Sequence, residues 1–177
     1  NSLSSLVIKG DKDKAEEMIQ NLSTFYRTSL SSDPLEEVTL AEEVELQQQY
    51  LGIEAVRFPE RQRTRIEIAP ELATERVPAL ILQPLVENAI KYGVSRSTRP
   101  VTVSIAATAI DGWMTIIVDD DGEDSPTKEH GNGIGLANVR DRLEARYGDS
   151  ASLTKGRKPD GGYRATIVIP ISPKDLA

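Results

Sequence analysis

The sequence predicts an α+β chain, a two-layer α/β sandwich preceded by a helical hairpin. Three observations predict it. Apolar residues recur at three- and four-residue steps before Phe58, and mostly at alternate positions after Pro59, which are the periods of amphipathic helices and half-buried strands. Two further helical patterns interrupt the strand-like segments, so helices segregate against a mainly antiparallel sheet. Hydrophobic residues make up 38% and charged residues 28% of 177 positions, enough to build a core, and no apolar run approaches the ~18 residues a membrane helix needs.

Each element has its own justification. From Ala15, the residues Met18, Ile19, Leu22, Phe25, Tyr26 and Leu30 mark one helical face, and Pro34 after Ser31-Ser32-Asp33 stops that helix. A second helix starts at Thr39, whose hydroxyl and the Glu42 carboxylate form a capping box. It carries Leu40, Val44, Leu51 and Val56 and ends by Phe58-Pro59. A short turn between two helices predicts an antiparallel hairpin. Strands are expected at 65–68, 101–107, 114–118 and 163–169, with Asp111-Gly112 as a hairpin turn. One more helix is expected to follow Pro78 and run to Tyr92, with Gly93 as its left-handed stop and Pro84 either kinking it or starting it afresh. The last begins near Gly135, sets Leu136, Val139 and Leu143 on one face and stops before Gly148. The expected organisation is a helical segment, 1–58, followed by a mixed domain, 59–177.

The net charge of -7 and pI near 4.9 exclude a nucleic-acid partner, which would demand clustered Lys and Arg. The absence of cysteine removes disulfides and thiolate metal sites. The chain begins at Asn1 without Met or a signal peptide, as expected of an excised piece of a longer protein.

Three segments concentrate chemistry. In 82–93, a helix otherwise rich in apolar residues carries Glu87, Asn88 and Lys91 within one turn. Asn88 and Lys91, three apart, share a face; an amide oxygen suits Mg²⁺ and a lysine neutralises phosphate, so the pair could hold a metal-nucleotide. In 116–122, an apolar strand runs into Asp119-Asp120-Asp121-Gly122. Ile117 breaks the alternation a calcium loop needs, which leaves a buried carboxylate at a strand end able to accept a hydrogen bond from a ligand amine. In 131–136, Gly131, Gly133 and Gly135 precede a helix, and glycine amides with a helix N-terminus favour phosphate. Leu136 stands where a dinucleotide fingerprint needs glycine, and no GK[ST] is present. Read singly, each segment also fits a plainer role: an amphipathic helix with a wet side, a solvated strand exit, a surface loop.

In that order the three segments resemble the nucleotide-binding boxes of the ATPase superfamily of DNA gyrase, MutL and the histidine kinases. Nearly the whole chain resembles the LytS-type sensor histidine kinases, through Leu22-Ser23 to Leu30, Val38-Thr39-Leu40 with Glu42-Glu43, Tyr50-Leu51 to Phe58, Gln83 to Gly93 and Gly133 to Leu143. The resemblance implies a Bergerat-type ATP-binding fold with ATP and Mg²⁺ as cofactors. It implies that Asn88 coordinates Mg²⁺, that Glu87 is the acid of the first box, that Lys91 contacts phosphate and that Tyr92 flanks the nucleotide. Asp120, counted back from Gly122, would bond the adenine amino group. Gly131, Gly133, Ile134, Gly135 and Leu136 would form the phosphate-side loop, and 123–132 a lid. Two positions depart from the family pattern: Pro84 replaces a Glu, Asn or His, and Asp124 replaces the second glycine of the Asp-x-Gly-x-Gly box.

The implied activity is transfer of the ATP γ-phosphoryl group to a histidine, then to a response regulator. Residues 1–58 would be part of the dimerisation and phosphotransfer segment, lacking the acceptor. His130 is the only histidine but lies in the expected lid. The family's acceptor stands upstream of Asn1, so this chain alone should not phosphorylate itself. The longer protein would be a homodimer and a membrane-anchored bacterial sensor, with this part cytoplasmic and any membrane contact made by upstream segments. An anti-sigma-type serine kinase and an ATP-responsive dimerisation module without transfer activity are the alternatives.

Overall fold

A computed structural model describes residues 2–31, 36–123 and 134–171. Helices α1 (Ser2–Ile8), α2 (Lys12–Ser31) and α3 (Leu40–Arg57) come first, with a short strand β1 (Glu37–Thr39) between α2 and α3. There follow β2 (Gln62–Ile68), β3 (Arg76–Pro78), α4 (Gln83–Asn88) with a π-type continuation over Ala89–Val94, β4 (Val101–Ile110), β5 (Trp113–Asp120), α5 (Ile134–Tyr147), β6 (Ser152–Arg157) and β7 (Tyr163–Pro170).

The main sheet has the order β2-β4-β5-β7-β6; β2 runs parallel to β4 and the other pairs are antiparallel. Its inner face follows from alternation. Val101, Val103, Ile105 and Ala107 of β4, Met114, Ile116 and Val118 of β5, and Ala165, Ile167 and Ile169 of β7 are all buried, and the register sets Ile105 beside Val118 and Ile116 beside Ile167. Asp111 and Gly112 turn β4 into β5 with φ of 51° and 79°, the left-handed pair that a two-residue hairpin requires.

Helices cover that face and make the second layer. Leu85, Val86, Ala89, Ile90 and Val94 from the α4 segment and Val139 and Leu143 from α5 join the sheet in one apolar cluster, together with Leu40, Val44 and Leu51 of α3 and Phe58 just after it. The opposite side of α3 supplies Leu46 and Ile53 to a smaller cluster with Met18 and Phe25 of α2. The α3 helix therefore packs on two partners. Its start is the expected capping box: Thr39 Oγ1 accepts from the Glu42 N–H at 3.2 Å, and Glu42 Oε2 accepts from the Thr39 N–H at 2.8 Å, a device worth about 1 kcal/mol.

Four expectations change. The helix expected directly after strand β3, which ends at Pro78 and pairs with β1, starts only at Gln83: Pro84 marks the fresh start rather than a kink, because a proline in the first turn begins a helix well and continues one badly. Gly93 is no left-handed stop: its φ is not positive, and the turn widens instead into a π-type segment closed by Ser95 N–H donating to Ile90 O at 2.8 Å. Strand β6 carries little apolar alternation and was invisible to pattern. Ile19 and Tyr26, expected on the buried face of α2, are 49% and 56% exposed.

Candidate functional site

The three acids at the end of β5 point three ways because a strand alternates. Asp119 lies on the opposite face of the sheet, itself buried, where its Oδ2 accepts from Arg164 Nε at 2.9 Å. Asp121, past the strand, accepts the Thr102 N–H at 2.7 Å and fastens β4. Asp120 lies on the inner face, 4% exposed, with Oδ1 accepting the Gly122 N–H at 2.9 Å.

Glycines enclose it. A Cβ on Gly93 would stand 2.6 Å from the Asp120 carboxylate, one on Gly122 would stand 2.8 Å from Oδ1, and one on Gly162, where φ is +84°, would stand 2.1 Å from the Asp120 carbonyl oxygen. No side chain fits at those distances, so the three glycines are required by approach. Burial pushes the Asp120 carboxyl up to about 6, against the opposing pull of the Gly122 hydrogen bond and the nearby Lys158 ammonium. Lys158 Nζ donates to the Asp120 carbonyl oxygen at 3.1 Å.

Gly93 also joins Asp120 to the first segment. Asn88 ends α4 half-buried, while Glu87 is exposed and accepts from Gln83 Nε2 at 2.9 Å. Lys91 is exposed, its Nζ 5.0 Å from the centre of the half-buried Tyr92 ring, with the Arg96 guanidinium 4.8 Å from the same ring. The π-type turn begins between Asn88 and Lys91, so their relative placement is set by that wider turn rather than by the 3.6-residue period; such turns recur at functional sites. The start of α5 completes the arrangement, since a Cβ on Gly135 would lie 3.2 Å from Pro84 and Leu136 packs on the main core.

Gly131, Gly133, the Ile134 side chain, His130, Asp124 and most of the expected lid lie outside the described residues. Sequence reasoning missed Lys158, Gly162, Glu43 and Arg142. The Asp160-Gly161-Gly162 turn was the one legible signal, since consecutive glycines after an acid mark left-handed backbone; the other three are distinguished only by what they meet in space.

The donor set fits a metal-nucleotide. A buried carboxylate in a glycine cradle offers an acceptor to a planar ring edge, and exposed Lys91 offers a cation to phosphate. Among the described residues no group of three His, Cys, Asp or Glu could hold a metal; the half-buried Asn88 offers a hard amide oxygen, and a phosphate-bound Mg²⁺ takes few protein ligands.

Comparison with known proteins identifies the family. Residues 73–173, more than half of the chain, match the family described as histidine kinase-, DNA gyrase B- and HSP90-like ATPase, and residues 1–62 match the family described as histidine kinase. The chain belongs to the histidine kinase-type ATPases. It is 37% identical over 164 residues to the sensor histidine kinase BtsS of Escherichia coli strain K12, covering 93% of this chain and 29% of that protein. To the sensor protein LytS of Oceanobacillus iheyensis it is 31% identical over 178 residues, covering 93% and 30%. The chain thus spans under a third of the length of the curated relatives it matches. The catalytic domain of histidine kinase ThkA shares the fold, with a TM-score of 0.58 at 17% identity over 77% of this chain and 95% of that one. Among the described residues of this histidine kinase-type chain, no helix is long and apolar enough to cross a membrane.

Proposed function

We propose that these residues are the ATP-dependent core of a two-component sensor histidine kinase. The observation that carries this reading is the buried Asp120 carboxylate, faced by Gly93 and Gly122 with Gly162 against its backbone, on a fold of the histidine kinase type. Mg-ATP, when bound, supplies the γ-phosphoryl group and the ion that neutralises its charge.

Asp120 would accept the adenine amino hydrogen, and Gly93 and Gly122 leave its carboxylate free of side-chain cover while Gly162 lets its backbone be approached. Asn88 offers its amide oxygen to Mg²⁺. Lys91 neutralises phosphate, and Tyr92, held between the Lys91 and Arg96 cations, flanks the nucleotide. Glu87, which accepts from Gln83, is the acid of the first box. Gly131, Gly133, Ile134, Gly135 and Leu136 form the phosphate-side loop. Catalysis is chiefly positioning and charge neutralisation.

Residues 1–58 serve as the dimerisation and phosphotransfer segment and 59–177 as the ATP-binding domain of a homodimeric, membrane-anchored sensor that passes phosphate to a response regulator. The match of residues 1–62 to the histidine kinase family supports a histidine acceptor over the serine acceptor of anti-sigma kinases. That acceptor is a histidine of the helical segment preceding Asn1 rather than His130.

The experiment incubates labelled ATP with this chain, with a version extended upstream, and with His130→Ala of each, with and without a candidate response regulator. Acid-labile label on the extended chain alone, indifferent to His130→Ala, is expected. Label on the short chain that disappears with His130→Ala would overturn the upstream acceptor, and ATP binding without transfer in any version would favour an ATP-responsive dimerisation module.

A further inference from the structure

The helix that carries Asn88 has no side-chain N-cap of its own. A carboxylate from another helix stands at its entry. Glu43 of α3, 2% exposed, accepts the Leu80 N–H on Oε2 at 2.9 Å and the Leu82 N–H on Oε1 at 2.8 Å. From the far side, Arg142 of α5 donates through one Nη to Ala79 O at 2.7 Å and to Leu80 O at 3.2 Å. Between them Leu80 is held at φ +58°, a left-handed conformation that leucine resists and that persists only where its surroundings impose it. The Leu80 side chain packs on the α2–α3 cluster of Met18, Phe25, Leu46 and Ile53.

A buried ionised carboxylate is costly unless its hydrogen bonds are met, so Glu43 is a demanding choice for simple packing. Its partners lie in a turn one residue before the nucleotide-proximal helix. We propose that Glu43 and Arg142 are positioning residues that clamp the Ala79–Leu82 turn from two helices and, through Leu80, tie the orientation of α4 to the packing of the helical hairpin. The inference rests on the reading of α4 as the metal-phosphate side of the site, and it adds a route by which rearrangement of the hairpin alters that side. Asp120 is carried by β5 and meets the α4 segment at Gly93, beyond the π-type turn and away from the clamped entry, so it should respond less than Asn88.

The test compares wild type, Glu43→Gln and Arg142→Met by displacement of a fluorescent ATP analogue with Mg-ATP and, separately, with adenosine, well below each variant's melting temperature. Gln keeps the shape of Glu43 but turns an amide donor toward one of the two N–H groups. Mg-ATP affinity is expected to fall about tenfold in either variant, while adenosine, which engages the Asp120 end, keeps its affinity. Equal losses for both ligands, or a lowered melting temperature with the affinity ratio unchanged, would overturn the positioning role.

Should wild type bind no ATP, the proposed function fails by itself, and the clamp is then read from amide hydrogen exchange. Glu43→Gln must speed exchange at Leu80, Leu82 and through Asn88; unaltered rates there would overturn the clamp. The link to the hairpin is read from a double-mutant cycle. Phe25→Ala should speed exchange in α4 with Leu80 present and not in a Leu80→Ala background, and additive effects would overturn the link.

Discussion

The two ends of the site differ in how they are held. At Asp120 everything is buried and close: a carboxylate at the end of a central strand, three glycines within van der Waals distance or less of any added methyl, and a lysine on the carbonyl. At Asn88 and Lys91 the side chains are half-buried or exposed on a helix that widens into a π-type turn and whose entry is fixed from outside by Glu43 and Arg142. The first end is built by exclusion of atoms and suits recognition of one flat shape. The second is built by leverage and suits a charged group that must be moved.

Substitutions that add one methyl should break this contrast most severely. Gly162→Ala forces a Cβ to 2.1 Å from the Asp120 carbonyl oxygen at a left-handed φ, and should destabilise the fold by about 3 kcal/mol or more, read as a large drop in urea midpoint. Gly93→Ala aims its methyl at the Asp120 carboxylate instead, and should abolish ATP binding at a smaller stability cost.

The Asp120 end is also the one that should respond to pH. Its folded carboxyl is raised from 3.8 to about 6 by burial, so folding takes up a proton, and its contribution to stability is full below about 3.8 and lost as pH rises through about 6. Above that pH the ionised group costs the ligand-free protein about 3 kcal/mol. ATP binding should move the opposite way, weakening as pH falls through about 6 and the acceptor is protonated. A melting temperature that climbs from pH 5 to pH 8 would contradict the assignment.

Asn88→Ala should sharpen the comparison from the other end. Affinity for Mg-ATP should fall about tenfold, and affinity for metal-free ATP about threefold or less, because the lost oxygen serves the ion. Equal losses with and without Mg²⁺ would remove Asn88 as a ligand. The smallest effect belongs far from both ends: Gly52 in α3 has open space around its Cβ position, so Gly52→Ala should stabilise the chain by about 0.5–1 kcal/mol, measured by thermal melting.

Periodicity made the helices α2, α3 and α5 and the strands β4, β5 and β7 legible in the sequence, because each buries one continuous face. The capping box at Thr39 and the Asp111-Gly112 turn were legible because their chemistry is local. Strand β6 was not, since its residues are Ser, Thr, Lys, Gly and Arg beside a single Leu and only pairing with β7 makes it a strand. Gly93 read as a stop because a glycine after a helix usually is one; the carboxylate that requires it comes from a residue 27 positions later. The role of Glu43 was not legible for the same reason, as its partners Leu80 and Leu82 are 37 and 39 positions away.

The assignment of the Asp120 pocket meets its most direct test in calorimetry of ATP binding to wild type and Asp120→Asn at pH 8. Asn retains an oxygen for the Gly122 N–H but can turn a donor toward the adenine amine, so affinity should fall roughly 30- to 800-fold, while the melting temperature of the ligand-free variant rises because the buried charge is gone. Unchanged ATP affinity in a folded Asp120→Asn protein would contradict the placement of the nucleotide base at Asp120.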